Sequence, residues 1–518
     1  MDEMAHVLSN IGRYLSKNIT LQGMSPGLTR PYIADGCRLC IVRIAEILST
    51  IHPNYYVGVL LFACVGWFLY IKIRYPFWNT QPVVHTYDVW RRRFTLNAHI
   101  IQKLPYKLQF YDREKQITTF DYSRVETPDK SQIAVFLQSN YIPSDRLLST
   151  ISVPVLDVYL TGHEYPSFVS VHREGSLTVG SLTVGSLTAG SLTGVIASRL
   201  INLYIGLAPT FSYEYPITTL RRLDGRLTSK PGNFRSVGAP LPAYFIDFMC
   251  VGRQVSGRQV SGRQVSGRQV SERLFHTHEY NRRIRTPDVP VSFFRKEGAL
   301  CEGVVPWISY TTYTFLIPPS VGRSRVPSLP PRFVVSRIEK KHTGWVRDIY
   351  ALLESRQLFS VAVLPALGNV LALLESREWE GYCLRKGEQL YGVYFFRNAH
   401  VHYEDVDGDT LELMAAVHAK SKFSVLQSEA ADKHSKCGDG RLVGKYNVDL
   451  FVAGFRHAFK EATTRVEYKI LRIPSLGHNL AILAKMRGGL VETPGALYLY
   501  NYVVPNMPVD NTDCVVLV

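Results

Sequence analysis

The chain has 518 residues, 46% hydrophobic and 12% aromatic, which excludes wholesale disorder, and its 8 cysteines are too few for a disulfide scaffold. At about 150 residues per domain there is room for two large units or three smaller ones. Lys and Arg number 59 against 43 Asp and Glu, and the net charge of +16 favours an anionic partner such as nucleic acid, anionic lipid or a phosphorylated cofactor.

Residues 1–54 are a mixed preface with a helix expected around Arg38 to Ser49. Cys37 and Cys40 form a CxxC, but no second pair or nearby His completes a zinc set, so free thiols in a reducing compartment are expected. From Tyr55 to Ile71 the chain is uncharged and apolar, with aromatic ends followed by Lys72 and Arg74. Such a run covers about 26 Å as a helix, just short of a ~30 Å hydrocarbon layer. It reads as a single-pass transmembrane anchor over residues 55–73, the alternative being a buried core helix. Lys72, Arg74, Arg91, Arg92 and Arg93 outnumber Arg38 and Arg43 on the other side, which places the large C-terminal part in the cytoplasm.

Two pentapeptide expansions follow, GSLTV-like units over 175–193 and four GRQVS copies over 252–271, read as duplications in surface loops. Around them the pattern is mixed α/β. Ser131–Ser139 predicts a helix, Pro166–Val171 and Val195–Tyr204 strands, and Ala243–Val251 (AYFIDFMCV) a buried strand. A helix at Arg273–Arg285 and a strand at Val291–Arg295 complete a βα unit on a parallel pair, with a further helix expected at Gly303–Tyr313. Beyond residue 330 strands are expected at Gln389–Phe396, Thr410–Val417 and Ala496–Val504, and a helix at Leu450–Glu461. The closing CVVLV suits a last strand with a buried carboxylate.

Residues 221–285 carry +9 of the net charge, and Arg253, Arg258, Arg263 and Arg268 lie in the GRQVS copies directly after the AYFIDFMCV strand. A buried strand running into a Gly- and Arg-rich loop that opens a helix is a phosphate cradle: glycines admit the anion, helix-start N–H groups face it, and arginines pair with it. Gln264 to Gly267 supplies a Q-x-x-G segment. Stacking aromatics are sparse among these arginines, so nucleic acid is an unlikely partner. His276, His278 and Glu279 are close in sequence, but i and i+2 diverge on a helix, so no metal is expected there.

PFWNTQPV (Pro76–Val83) resembles the FWxTQPV element of the N-myristoyltransferases, AYFIDFMCV their EINFLCV strand, and GALYLYNY (Gly495–Tyr502) their YLYNW strand, in the family's order. HTYDVWR (His85–Arg91) and THEYN (Thr277–Asn281) are similar to segments of the N-myristoyltransferase-like proteins of large DNA viruses. The resemblance covers roughly residues 75–518. It implies an α/β (α+β) fold of two fused GNAT-like acyltransferase halves behind the anchor. The first half, 75–330, would bind acyl-CoA and the second, 331–518, peptide.

The implied activity moves a fatty acyl group, myristoyl in the first instance, from acyl-CoA to the N-terminal glycine of a protein. Acyl-CoA is then a co-substrate and no cofactor is tightly bound. Carried over by residue, Tyr75, Phe77 and Trp78 would lie against CoA, and the loop from Val251 through Arg263, Gln264, Gly267 and Arg268 would hold the pyrophosphate. The N–H groups of Phe248 and Met249 would form the oxyanion hole. Val518, through its terminal carboxylate, would take the amine proton, and Tyr310 would protonate the leaving thiolate. Two departures from the family are visible: its KFGxGDG signature does not precede YLYNY, and Asp247 stands where the family has Asn. The competing readings are a catalytically inactive relative with a binding or structural role and a short-chain acetyltransferase.

Overall fold

The computed structural model describes residues 53–88, 97–142, 147–174, 191–206, 240–252 and, with short interruptions, 259–419 and 440–518, plus two short strands near residue 225. Contacts divide the chain into two compact units, Met1–Arg74 and Tyr75–Val518. The expected helix at Arg38–Ser49 and the CxxC lie outside the described residues, as do most of the first expansion and most of 221–239 in the basic stretch.

In the first unit the described element is helix α1 (Pro53–Arg74), which coincides with the apolar run and ends on Lys72 and Arg74. Those cations complement the negative end of the helix dipole, and Pro76 bars continuation. Leu61, Phe62, Trp67 and Ile73 are exposed on it. Among the described residues no helix is long and apolar enough to cross a membrane. The expected transmembrane anchor at 55–73 is therefore not supported, in keeping with an uncharged run about one turn short of the hydrocarbon thickness.

The second unit is built on one 15-stranded sheet. Its helices are α2 (Pro76–Thr80), α3 (Thr127–Asn140), α4 (Val153–Leu160), α5 (Gly267–Arg285), α6 (Thr343–Glu354), α7 (Leu367–Glu375), α8 (Gly440–Arg465) and α9 (Asn479–Leu483). The strands of the earlier sequence are β1 (Ile117–Asp121), β2 (Leu147–Ser149), β3 (Phe168–Glu174), β4 (Ser191–Ile205), β5 (Leu241–Val251), β6 (Ser292–Glu297) and β7 (Ile308–Leu316). Those of the later sequence are β8 (Phe333–Ile338), β9 (Val361–Pro365), β10 (Trp379–Lys386), β11 (Gln389–Tyr403), β12 (Gly408–His418), β13 (Tyr468–Pro474), β14 (Val491–Tyr500) and β15 (Cys514–Val516).

Across the sheet the order is β8-β10-β11-β12-β13-β7-β14-β6-β5-β4-β9-β15, with β3 and β1 added beside β4 and β2 beside β11. Strands from both sides of residue 330 thus alternate within one sheet. The expected β–α–parallel β unit is present as β5–α5–β6, paired in parallel from Tyr244↔Ser292 to Ile246↔Phe294. Helix α5 buries Val270, Leu274, Phe275, His278 and Arg282 at helical spacing.

Two expectations change. Gly303–Tyr313 is not a helix: Ile308–Leu316 is strand β7, whose inward and outward alternation and Thr/Tyr content suit a pleated surface. The GRQVS expansion is not a simple loop either, since two copies form an antiparallel ladder (Arg263↔Val260, Gln264↔Gln259) and the fourth copy is the first turn of α5.

Candidate functional site

Strand β5 is where the sheet parts. Its pairing with β6 ends at Ile246, while its pairing with β4 continues to Val251. From Asp247 onward β5 therefore has a strand neighbour on one flank only. The ladder with β4 also slips there: Ser198 faces Ile246 but Ala197 faces Phe248, so Asp247 is the extra residue of a β-bulge. The extra residue offsets the side-chain alternation. Ile246 and Met249 join one aromatic cluster, whereas Phe248 and Cys250 turn to the opposite core beside Tyr141 and Tyr159.

Asp247 is not turned to solvent. Its carboxylate, 8% exposed, is ion-paired with the Nε of Arg199, whose side chain is fully buried. Arg199 also donates from Nη1 to Asn369 Oδ1 (3.3 Å) and lies over the Tyr159 ring at 5.2 Å. Tyr141 Oη donates to the Asp247 carbonyl (3.3 Å), and burial, followed by the charge of Asp247, pushes the Tyr141 phenol up to about 12. The bulge is thus tied by a salt bridge on its side chain and a hydroxyl on its carbonyl.

The expected CoA-contact residues sit near this edge. Phe77 is buried against Trp78, Phe110 and Phe275, with ring centroids 5.0, 5.0 and 6.0 Å away. Trp78 stacks on Phe294 at 5.5 Å and belongs, with Met249, to the margin of the Ile246 cluster. Tyr75 opens α2, accepting from the Asn79 N–H at 3.1 Å. Val251 ends β5, Gly267 starts α5, and Arg268 is half-exposed in an i,i+4 pair with Glu272 (2.8 Å). Arg263 and Gln264 lie on the short ladder.

The blocks that carry the family resemblance converge. Gln81 Oε1 accepts from Tyr500 Oη (2.9 Å) and from His276 Nδ1 (3.2 Å), while His276 Nε2 accepts from the Leu108 N–H (3.2 Å). Asn501, at φ 65°, donates its backbone N–H to the Pro82 carbonyl (2.6 Å). His278 bonds Ser170 and Ser198, both at 2.8 Å. Burial lowers both histidines to about 4, so they are neutral polar pegs, His278 tying α5 to β3 and β4 and His276 tying it to Gln81 and Leu108. A cavity of about 470 Å³ lined by Gln81, Gln102, Lys103 and Tyr106 adjoins this junction rather than the β5 edge.

Val518 is 3% exposed. Strand β15 runs parallel to β9 (Cys514↔Val361 to Val516↔Val363), and Leu517 N–H donates to the Val363 carbonyl at 2.9 Å. Arg397 Nη1 donates to the Val518 oxygen (2.7 Å), and its Nε and Nη2 donate to Glu412 Oε2 (3.2 and 2.9 Å). Glu412 Oε1 accepts from Arg295 Nη1 (3.1 Å), and Glu297 is ion-paired with Arg472. Burial alone would raise the Glu412 carboxyl, but Arg397, Arg295 and Arg472 outweigh it and hold the group well below the usual carboxylate range.

Tyr310 joins the same network, donating from Oη to Glu297 Oε1 (3.3 Å). Burial and then Glu297 raise its phenol far above the ordinary range. It lies within strand β7 rather than in the helix expected at Gly303–Tyr313. The structure therefore joins Tyr310 to Val518 through five charged side chains. Sequence reading missed Arg199, Arg295, Arg397, Glu412 and Arg472; their only trace is a charge inside an otherwise apolar strand, as in IASRLI, LELMAA and ILRIP.

The mixed sheet with helices packed on it defines a fold class, and solved structures are similar to it overall. Saccharomyces cerevisiae N-myristoyltransferase with bound myristoyl-CoA is similar at a TM-score of 0.54 and 12% identity, over 84% of this chain and 94% of that one. The same enzyme with bound myristoyl-CoA and inhibitors gives 0.55 and 12%, over 85% and 93%. At this identity the likeness is one of fold. No family model and no curated protein matches the sequence.

Proposed function

We propose that the protein is an acyl-CoA-dependent N-acyltransferase that moves a fatty acyl group, myristoyl in the first instance, to the N-terminal glycine amine of a protein. The observation that carries the reading is the parting of β5 from β6 at Ile246, immediately before the bulge, in a chain with the N-myristoyltransferase fold. A thioester laid along the open flank would meet main-chain amides at Phe248 and Met249, preorganised donors for the oxyanion. One such donor is typically worth about 3 kcal/mol in the transition state.

The acceptor amine has an ordinary pKa near 8 and must lose a proton before it attacks. The Val518 carboxylate takes that proton. The nitrogen then bonds to the thioester carbon, the tetrahedral oxyanion collapses, and the C–S bond breaks with its electron pair on sulfur. The second N–H proton ends on the CoA thiol. Trp78 and the start of α5 would receive CoA.

The test is incubation of the full chain with labelled myristoyl-CoA and peptides beginning with Gly or with N-acetylated Gly. Amide product on the free amine alone supports the reading. Tight acyl-CoA binding without product would leave a non-catalytic acyl-CoA binder, and neither binding nor product would remove both readings.

A further inference from the structure

We propose that Arg397, braced by Glu412, is the positioning residue that aims the Val518 carboxylate at the acceptor amine and sets its basicity; the proposal rests on the acyl-transfer reading. Two observations carry it. The first is geometric. One guanidinium spends Nη1 on the Val518 oxygen and both Nε and Nη2 on a single Glu412 oxygen. Glu412 is itself fixed from its other oxygen by Arg295. The fork is planar and rigid, so its third N–H can point in only one direction once Glu412 holds the other two.

The second is the charge balance. Arg295, Arg397 and Arg472 bring three positive charges together, and Glu297 and Glu412 bring two negative ones. The set is left with one unmatched positive charge, and Arg397 is the member that contacts Val518. Burial makes an unmatched charge costly, and a terminal carboxylate at that oxygen neutralises the set.

Neutralisation alone would make a poor base, because a guanidinium beside a carboxylate stabilises its ionised form. Glu412 corrects this. It shares the same guanidinium through two bonds and draws off part of the positive field, leaving the tail anchored but still able to accept a proton. The arrangement therefore predicts opposite consequences for loss of the anchor and loss of the brace.

In Arg397→Met the terminal carboxylate loses its cation, and the acid limb of the kcat–pH profile moves up by about one unit. In Glu412→Gln the full charge of Arg397 falls on the tail, and the limb moves down by a similar amount. Arg397→Lys retains the charge and restores the limb toward the wild-type position, with kcat recovered only in part. A purely structural role would lower activity in all three without moving the limb in opposite directions.

Wild-type turnover with the limb unmoved in both Arg397→Met and Glu412→Gln overturns the proposal while leaving the acyl-transfer reading intact. Absence of wild-type turnover fails the acyl-transfer reading instead. Should either variant not fold, one glycine appended after Val518 displaces the carboxylate while keeping every side chain of the network. A fall in kcat of at least a hundredfold with acyl-CoA binding retained is expected, and unchanged kcat overturns the proposal.

Discussion

Arg199 and Asp247 form a salt bridge across the β4–β5 ladder at the one position where that ladder slips register. Because the arginine is fully buried and the carboxylate nearly so, removing one partner strands the other in a low-dielectric core. Asp247→Ala should cost about 3–5 kcal/mol, the usual penalty for breaking a buried pair. Arg199→Met with Asp247→Ala should recover part of that loss. Chemical denaturation of the two single variants and the double variant measures the coupling, and additive losses would show that the pair does not hold the bulge.

Asn501 combines a left-handed backbone with three side-chain hydrogen bonds: to the Gln102 and Pro290 carbonyls, both at 3.0 Å, and from the Gln102 N–H at 2.8 Å. Asn501→Gly keeps the conformation and loses the bonds; Asn501→Ala loses both. Losses of about 2 and 3 kcal/mol, in that order, are expected. Equal stability of the two variants would mean that the backbone conformation contributes nothing.

His276 and His278 titrate near 4 in the folded protein because burial disfavours their cations, against about 6.5 in an unfolded chain. The unfolded state therefore binds more protons at acid pH. The stability these neutral histidines contribute is present above pH 6.5 and is lost as pH falls from 6.5 through 4. Urea midpoints at pH 7.5, 6.0 and 5.0 should decline steadily, and His276→Gln should flatten the decline by up to one proton. A midpoint independent of pH across this range would contradict the placement of both rings.

Tyr310 donates to Glu297, and its hydroxyl is one of two on that carboxylate, the other being Thr312 (3.3 Å). Tyr310→Phe should cost about 1 kcal/mol of stability and change kcat by less than threefold. A fall of a hundredfold in kcat with stability unchanged would restore the hydroxyl as the donor to the leaving thiolate.

What was legible in the sequence followed from periodic or alternating segments. The strands at Val195–Tyr204, Ala243–Val251 and Thr410–Val417 were readable because they are short, mostly apolar runs, and the helix before Arg285 because Val270, Leu274 and Phe275 recur at helical spacing. Gln81, Tyr500 and Asn501 were found within blocks and His276 directly before one, but their meeting point was not legible, since it joins positions up to 419 residues apart. The helix expected at Gly303–Tyr313 is instead strand β7 because the Thr/Tyr alternation from Ile308 onward favours a strand. The ionic network was invisible for a different reason: its members are spread over the separate strands β6, β11, β12 and β13. Only the sheet order, with β7 between β13 and β14 and β11 beside β12, brings those charges to one place. The bulge at Asp247 has no sequence mark of its own, and Asp for Asn there becomes intelligible only beside Arg199.

The most direct measurement is a crystal structure with a thioether analogue of myristoyl-CoA, in which a methylene precedes the sulfur and the carbonyl is kept. The account predicts the carbonyl oxygen about 3 Å from the amide nitrogens of Phe248 and Met249, with the Val518 carboxylate facing the acyl carbon from the peptide side. An acyl chain bound elsewhere, with the β5 flank beyond Ile246 filled by protein side chains, would contradict it.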